Sequence, residues 1–505
     1  MFEFVKCFYT VVGALFVIYL LGYSTFLIAS VIAGSLDLYK ESKKRRYHNE
    51  ISHDYYVPVS IVVPAYNEEV TVVDTVKSLL MMDYRLYEIV VVDDGSKDAT
   101  TQVLLDAFHL KKVMRPINRQ IKCRKEQNVY EAVVNGINIT LVQKINGGKA
   151  DALNMGINAS RYPYFICMDA DSVLQKDSLK YIVRPVLEDD TIVAVGGLVR
   201  ISNCAVLSEG ELVDYHMPWN PIVGMQILEY DRSFMASRIL MDKFNGNLII
   251  SGAFGLFKKD MVASVGGYDA STMGEDMELV VKLHAFCRIN KIPYGIRYIP
   301  DAICWSQCPS SIGDLKKQRR RWFLGLFQCL NKHRRMFLAP EFGVVGYISY
   351  LYYLLYELLS PFIELFGLLT IVLAYMVNLI NVPFMIMFFL IYALYGAVLT
   401  ITAFFARIYT QNIRLSVLDV VKAVYLCIAE SVFFRFIQAF TRMTAFFGYK
   451  KKKNVWGQIK RQKIQLHQTS EEKGKMGDAK EDYPLSGSDY SSHVYFHTLS
   501  VPGRK

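Results

Sequence analysis

Two acidic clusters in this chain have residue types and spacings suited to chemistry at a hydroxyl group and at a phosphate. Asp276 follows Gly274 and Glu275 directly before a predicted helix. A carboxylate at that place can act as the general base for an acceptor hydroxyl, or it is an ordinary acid favoured by the helix dipole. Asp169 and Asp171 are two positions apart, so in an extended segment both side chains lie on one face. Paired carboxylates of this kind suit Mg²⁺ or Mn²⁺.

A glycine pair and a lysine open a second predicted helix. Gly147 and Gly148 allow the backbone to come close to a diphosphate, and Lys149 can neutralise it. A glycine pair before a helix is common, so this pattern supports a phosphate site only together with the acidic clusters.

Residues 318–322 read Gln-Arg-Arg-Arg-Trp and lie directly before a long apolar region. Arg321 can bind a diphosphate through two hydrogen bonds, and Trp322 offers a flat apolar face to a sugar ring. Arg319 and Arg320 fit a basic-aromatic belt that faces lipid headgroups, and we assign them no role in binding.

Two further sites follow predicted strands. Tyr66 can stack on a nucleobase, and one carboxylate of the pair Asp93 and Asp94 can accept a hydrogen bond from a uracil imide or a ribose hydroxyl. Both sites also fit turns in which a polar side chain caps the next helix, and the two interpretations can hold together.

The elements that must position these residues form an α/β pattern. Short Val- and Ile-rich runs alternate with segments of helical spacing, which predicts a mostly parallel sheet. In such sheets the chemistry lies beyond the carboxyl ends of the strands, where all these clusters fall. A basic, irregular insertion is expected to form a surface hairpin or flap, and its sparse aromatic residues favour solvated charge over nucleic-acid binding. The predicted strands cover 59–63, 88–92 and 164–168, the predicted helices 68–82 and 149–160, and the insertion 111–144.

Composition predicts a membrane protein. The 505 residues carry a net charge of +10 and are 52% hydrophobic, and the excess gathers near the N-terminus and after Gly343. Residues 8–33 carry no charge and are long enough to span ~30 Å of hydrocarbon, so we interpret them as a retained anchor. The basic run that follows at 43–46 places its C-terminal end in the cytoplasm. Nine cysteines show no disulfide or zinc pattern.

The C-terminal half contains further apolar stretches, at 343–377, 383–406 and 418–447. The first carries Pro361, which predicts a kink, and the last carries charges that face either the interface or a polar interior. Basic residues at both ends require an even number of crossings, two or four, between 335 and 450. Residues 309–335 predict an amphipathic helix at the membrane interface.

The five motifs together resemble the membrane-integrated processive members of glycosyltransferase family 2, which include poly-N-acetylglucosamine, cellulose, mixed-linkage glucan and hyaluronan synthases. The motifs are DDGS at 93–96, GGKA at 147–150, DAD at 169–171, GED at 274–276 and QxxRW at 318–322. Their order is specific, and the resemblance covers roughly residues 57–322. The FxVTxK stretch typical of cellulose synthases is absent from the sequence.

The resemblance implies a Rossmann-like, nucleotide-sugar-binding (GT-A type) cytoplasmic domain joined to a helical membrane region. It also implies a role for each motif residue. Tyr66, Glu68 and Asp94 would hold the uridine, Lys149 and Arg321 the diphosphate, and Asp169 and Asp171 the Mg²⁺ or Mn²⁺ ion at the diphosphate. Asp276 would be the catalytic base with Glu275 beside it, Gln318 and Trp322 would bind the acceptor, and Trp456 and Arg461 would gate the nucleotide site. Gln226, Glu229 and Tyr230 match the family's QxxEY stretch.

We therefore expect an inverting, processive enzyme of the plasma membrane that polymerises UDP-glucose or UDP-N-acetylglucosamine and extrudes the polysaccharide through its own channel. Its partners would be the UDP-sugar, the growing glycan and the bilayer, without nucleic acid. The alternatives are a non-processive transferase acting on a lipid carrier such as polyprenyl phosphate, and a non-catalytic glycan exporter. The expected domains are an anchor with its basic flank (1–50), a glycosyltransferase domain (51–308), an interfacial helix (309–336), a membrane region (337–449), a gating-loop candidate (450–465) and a disordered tail (466–505).

Overall fold

The computed structural model describes residues 2–48, 56–208, 210–411, 413–430 and 434–447. The strands are β1 (Val59–Ala65), β2 (Tyr87–Asp93), β3 (Lys111–Val113), β4 (Glu126–Val134), β5 (Ile137–Lys144), β6 (Tyr164–Met168), β7 (Val173–Leu174), β8 (Ile192–Ile201), β9 (Ala205–Ser208), β10 (Glu211–Tyr215), β11 (Phe254–Lys258) and β12 (Gly295–Ser306).

The α-helices alternate with these strands and then continue beyond them. They are α1 (Phe2–His48), α2 (Val72–Leu80), α3 (Thr100–Phe108), α4 (Lys149–Ala159), α5 (Ser178–Glu188), α6 (Pro221–Arg232), α7 (Arg238–Asp242), α8 (Lys259–Ser264), α9 (Glu275–Ile289), α10 (Ile312–Lys332), α11 (Tyr350–Tyr352), α12 (Ser360–Met376), α13 (Val382–Thr410), α14 (Val417–Ala429) and α15 (Arg435–Met443).

A ten-stranded sheet forms the centre of the soluble region, in the order β3-β4-β5-β2-β1-β6-β11-β8-β12-β7. The strands β5, β2, β1 and β6 are parallel neighbours. Every residue of β2 is buried, as expected for a Val- and Ile-rich strand covered by helices on both faces. The α/β prediction is confirmed, and the carboxyl ends of β1, β2 and β6 lie side by side.

Three details of the predicted soluble fold are wrong. The sheet is mixed rather than mostly parallel, because β11 enters antiparallel between β6 and β8. The insertion contains the expected hairpin, β4–β5, but it is less irregular than expected, because β5 pairs in parallel with β2 of the main sheet. Residues 169–171 form a turn after β6 rather than an extended segment. The first two differences depend on pairing between separate parts of the chain, which local periodicity does not encode, whereas the third is a local turn closed by the Ser172 N–H and the Asp169 carbonyl oxygen.

Two described helices are long and apolar enough to cross a bilayer, Cys7–Glu41 within α1 and Val382–Tyr409 within α13. A bent pair, Val345–Leu358 and Ser360–Met376, is a further candidate span with a 51° bend. Pro361 lies in the first turn of α12, directly after the bend, as the predicted kink requires. The last apolar stretch forms the shorter helices α14 and α15.

Candidate functional site

A single large cavity of about 870 Å³ connects the carboxyl ends of the strands with the apolar helices. We call it the central cavity. Its soluble part is lined by residues of the turn after β6 and of α4, α6, α9 and α10, including Lys149, Asp169, Asp171, Tyr230, Glu275, Asp276, Gln318, Arg321 and Trp322. Its membrane part is lined by residues of α1, α12, α13 and α15. The cavity therefore brings most of the predicted site residues together with the predicted membrane region.

Lys149 lies at the centre of the acidic residues. Its Nζ donates a hydrogen bond to Asp169 and lies 3.8 Å from an oxygen of Glu275. Burial lowers the pKa of Lys149, but Asp169, Glu275 and Asp276 outweigh this effect and hold the pKa above its usual value. Lys149 is thus a permanent cation in the cavity, which is what binding of a diphosphate requires.

Glu275 and Asp276 begin α9 and face the same cavity. Asp276 accepts hydrogen bonds from the backbone N–H groups of Gly252 and Met277, at 3.2 and 2.8 Å. A methyl group added to Gly252 would lie 3.3 Å from Lys149 Nζ and 3.6 Å from Asp276 Oδ2, so cation and carboxylate flank one small volume. Burial raises the pKa of Glu275, and Asp276 raises it further against the opposing effect of Lys149.

Asp169 and Asp171 lie in the turn after β6, where the backbone N–H of Ser172 donates to the carbonyl oxygen of Asp169 at 3.1 Å. Both residues line the central cavity, and Asp171 is almost fully buried. The described residues contain no group of three or more His, Cys, Asp or Glu side chains arranged for a metal ion. A Mg²⁺ ion at a substrate phosphate takes only one or two carboxylates from the protein. The two aspartates therefore fit an ion that is completed by diphosphate oxygens.

The α10 helix presents the Gln-Arg-Arg-Arg-Trp residues, and its geometry corrects one prediction. Arg319 does not face lipid headgroups, because it is buried and binds both carboxylate oxygens of Glu229 at 2.8 and 2.6 Å. Its guanidinium also lies 4.6 Å from the centre of the Trp322 ring. The burial follows from an acidic partner on α6, a helix ninety positions earlier in the chain.

Trp322 is 39% exposed, and its ring centre lies 6.4 Å from that of Tyr230. Gln318 lines the same part of the cavity, and its buried Oε1 has no hydrogen-bond partner among the described residues. An unpaired buried acceptor costs stability unless a ligand or water donates to it. Arg321 also lines the cavity and opposes the rise in the pKa of Glu275. These residues form a polar and aromatic part of the same cavity wall that includes Asp276.

The predicted uridine residues lie at neighbouring strand ends outside the lining of the central cavity. Asp94 accepts hydrogen bonds from the backbone N–H groups of Gly147 and Gly148, at 2.9 and 2.7 Å, and from Lys144. Burial raises the pKa of Asp94, while the Lys144 hydrogen bond opposes this rise. In the structure Asp94 holds the glycine loop that precedes Lys149.

Tyr66 is exposed at the end of β1. Glu68 accepts a hydrogen bond from Thr71 at 2.9 Å, and its backbone N–H donates to Thr100 at 2.9 Å. The structure brings both residues close to the loop after β2, and their contact with uridine stays a prediction. Trp456 and Arg461 lie outside the described residues.

The membrane part of the cavity is polar, although the surrounding helices are apolar. Tyrosines from three parts of the chain line it, namely Tyr19, Tyr23, Tyr352, Tyr356, Tyr392 and Tyr395. The predicted channel residues Glu357 and Glu364 also line it, and they bind Arg442 at 3.4 Å and Arg435 at 2.8 Å. Glu430, Arg435 and Arg442 of the stretch 418–447 therefore face a polar interior rather than lipid.

Sequence reasoning missed several cavity residues. Arg232 of α6 binds Glu430 at 2.8 and 3.0 Å, and both line the cavity. Tyr19 and Tyr23 place the anchor α1 in the wall of the cavity. Glu430 is one of the charges in the last apolar stretch, for which a polar interior was one of the two predicted alternatives, whereas no local pattern indicated the place of Arg232 in the cavity.

Two family profiles match the chain. Residues 60–140 match the family described as Glycosyl transferase family 2, and residues 164–401 match Glycosyl transferase family group 2. Together these segments contain β2, β6, α9 and α10 and all but the first residue of β1.

The chain is also similar to poly-β-1,6-N-acetyl-D-glucosamine synthases. It is 31% identical over 312 residues to that of Staphylococcus epidermidis strain RP62A, covering 61% of this chain and 64% of the relative. It is 30% identical over 311 residues to that of Staphylococcus aureus strain COL, covering 61% and 64%. The similarity therefore spans somewhat less than two thirds of these relatives.

Among solved structures, the mannosyltransferase PcManGT of Pyrobaculum calidifontis, in complex with GDP-Man and Mn²⁺, matches 82% of this chain and 98% of its own. Its sequence identity is 19% and the TM-score is 0.48. Staphylococcus aureus TarS matches 58% of this chain and 44% of its own, with 17% identity and a TM-score of 0.34.

Proposed function

We propose that this chain is an inverting, processive polysaccharide synthase of glycosyltransferase family 2 in the plasma membrane. The proposed donor is UDP-N-acetylglucosamine and the proposed product is a β-1,6-linked polymer, since the similar staphylococcal proteins are synthases of that polymer. The observation that carries the proposal is the central cavity, which joins Asp276, Lys149 and the aspartate pair to a polar passage among apolar helices.

The acceptor sugar would lie against Trp322 and Gln318, with its free hydroxyl facing Asp276. Asp276 takes the hydroxyl proton while the hydroxyl oxygen forms a bond to C1 of the donor sugar. The bond between C1 and the UDP oxygen breaks, and UDP leaves with the electron pair. Attack from the face opposite UDP turns an α-linked donor into a β-linked product, and no protein nucleophile is needed.

The leaving diphosphate would be held from two sides. Lys149 is a half-buried cation beside Asp169, and Arg321 lies in the same cavity. Mg²⁺ or Mn²⁺ held by Asp169 and Asp171 would supply positive charge to the diphosphate as a Lewis acid. The strand-end residues Tyr66, Glu68 and Asp94 are proposed to hold the uridine side, with Asp94 acting through the glycine loop that it organises.

Processivity and export rest on the membrane part of the cavity. A growing chain retained by Trp322 would extend past Tyr353 toward Glu357 and Glu364, all of which line the passage. Tyrosine hydroxyls and paired charges can exchange hydrogen bonds with sugar hydroxyls along such a path, while lipid cannot. We propose that α1, the bent pair and α13 span the membrane and that the catalytic domain lies on its cytoplasmic side. Residues 450–465 are proposed to form a gating loop.

The test uses the full-length protein, purified in detergent or nanodiscs and supplied with each common UDP-sugar together with Mg²⁺ or Mn²⁺. We expect UDP release with UDP-N-acetylglucosamine and a long polymer that a β-1,6-N-acetylglucosaminidase digests. A product resistant to this enzyme but sensitive to a β-glucanase would contradict the donor and linkage. A short, lipid-extractable product would favour a transferase acting on a lipid carrier, and no UDP release from any donor would favour an exporter.

A further inference from the structure

We propose that Gly325 and Gln328 of α10 are positioning residues. They hold residues 272–274, which lead into Asp276 and are called the Asp276 loop below, at a fixed distance from the acceptor-binding residues of α10. The inference rests on the proposed function in one respect, namely that Asp276 acts on an acceptor held by Gln318 and Trp322. Neither Gly325 nor Gln328 lines the central cavity, so both would act through the backbone before α9.

The backbones of α10 and the Asp276 loop are in direct contact at two glycines. A Cβ added to Gly325 would lie 2.7 Å from the backbone nitrogen of Gly274 and 2.8 Å from its Cα. A Cβ added to Gly274 would lie 3.0 Å from Gly325 Cα. The obstructing atoms are all backbone, so no flexible side chain can move aside. Any side chain at Gly325 must therefore move α10 away from the residue that immediately precedes Glu275.

Hydrogen bonds from Gln328 hold the same loop. The Gln328 Oε1 atom accepts from the backbone N–H of Met273 at 2.8 Å and from the Thr272 hydroxyl at 3.2 Å. That hydroxyl accepts in turn from the backbone N–H of Gly274 at 3.2 Å. One amide oxygen thus stabilises the three residues that lead into α9. Its loss would leave the Met273 N–H without this acceptor.

A third contact lies one turn further along α10. Lys332 Nζ binds Asp269 and Glu278, each at 2.6 Å. These two acids lie on either side of the Asp276 loop. Positions 318, 322, 325, 328 and 332 follow one another at intervals of three and four residues, which places them along one face of a helix. The first half of this face carries the acceptor residues Gln318 and Trp322. The second half contacts the residues on either side of Asp276.

This arrangement has a specific consequence for transfer. If α10 and the Asp276 loop form one rigid unit, the distance from the base to the acceptor hydroxyl does not depend on donor binding. A misplacement of about 1 Å in such a site can cost about 100-fold in rate. The Gly325→Ala change requires the nearest contact to lengthen by several tenths of an ångström. We therefore expect kcat for polymer synthesis to fall about 10-fold or more, while KM for the UDP-sugar changes by less than about twofold.

The experiment compares Gly325→Ala with Gly313→Ala in the full-length protein. Gly313 lies in the same helix, and its added Cβ would have only Ser311 Oγ nearby, at 3.9 Å. Both changes replace glycine by alanine in one helix, so only the contact with the loop differs. We expect Gly313→Ala to polymerise like the wild type. We expect Gly325→Ala to lose transfer to the acceptor more than hydrolysis of the UDP-sugar by water, because only transfer needs the acceptor hydroxyl in register with Asp276.

A second pair of variants keeps the test decisive if Gly325→Ala does not fold. Gln328→Ala removes the acceptor oxygen, and Gln328→Glu retains it. We expect the alanine variant to show the same fall in kcat and the same shift toward hydrolysis, and the glutamate variant to restore most of the transfer. Equal activity of Gly325→Ala and Gly313→Ala, or parallel loss of transfer and hydrolysis with no rescue by glutamate, would overturn the proposal. A wild-type protein that transfers no sugar would instead refute the proposed function.

Discussion

Replacing Asp276 with asparagine separates the proposed base from every structural role of this residue. Asparagine has nearly the same shape, and its Oδ1 can still accept the Met277 N–H bond, which is 2.8 Å long in the wild type. The bond from Gly252, at 3.2 Å, is the one put at risk. A backbone hydrogen bond to a charged carboxylate contributes about 1.5–3 kcal/mol, so its loss would lower Tm by about 3–12 °C for a domain of this size.

The catalytic effect should be much larger than the structural one. A positioned general base contributes about 10²–10⁴-fold to rate, so kcat for polymer synthesis should fall by about that factor. Binding of UDP should survive, since the lost charge faces the acceptor and Lys149 keeps its partner Asp169. Glu275 should ionise at lower pH in the variant, because Asp276 contributes to the rise in its pKa.

The assay is incorporation of radiolabelled sugar into polymer, with UDP binding measured separately by calorimetry. Asp260→Asn is the matched control, because Asp260 is an exposed acid in the first turn of α8, and it should synthesise polymer at the wild-type rate. If Asp276→Asn synthesises polymer at a rate within about threefold of this control, Asp276 does not contribute the rate factor expected of a general base. The assignment of Asp276 as the base would then be wrong.

Three further predictions follow from contacts around the cavity. Trp322→Ala should lower elongation about tenfold through lost contact with the sugar ring and affect UDP-sugar hydrolysis less, as measured by polymer length and UDP release; a parallel fall in both would contradict stacking. Glu229→Gln should destabilise the folded state by about 3–5 kcal/mol, because it leaves the buried Arg319 guanidinium without its carboxylate, and an unchanged melting temperature would contradict this. The hydrogen bond to Asp419 is the main cause that raises the pKa of His216 in the folded state. Protonated His216 therefore stabilises the fold below the unfolded pKa of about 6.5, and this stabilisation is lost as pH rises through the folded pKa. His216→Gln should abolish this part of the pH dependence of Tm.

Much of the soluble site could be predicted from local sequence. Apolar runs that end in polar clusters mark the carboxyl ends of β1, β2 and β6, because a buried strand must stop where its side chains meet water. Parallel strands place their ends at one edge, so Lys149, Asp169 and Asp171 were expected together. The GED motif predicts a helix start at Glu275, and the structure begins α9 there.

The partners of those residues could not be predicted in the same way. Nothing in the pattern around Arg319 distinguishes a lipid-facing arginine from one that is buried, because the difference is made by Glu229 on a separate helix. The same holds for Asp94, whose carboxylate accepts hydrogen bonds from the backbone N–H groups of Gly147 and Gly148. In each case the residue type shows that the side chain can bind an opposite charge or accept hydrogen bonds, but its neighbour depends on how distant surfaces pack.

The sequence alone determined which residue types stand at the strand ends, where the apolar helices lie and which chemistry those residues can perform, since these follow from periodicity and local turns. Only the tertiary structure decided that α1 contributes Tyr19 and Tyr23 to the cavity wall and that Gly325 touches Gly274. Such contacts join segments tens to hundreds of residues apart. Their existence depends on complementary packing of whole helices, and no local pattern records it.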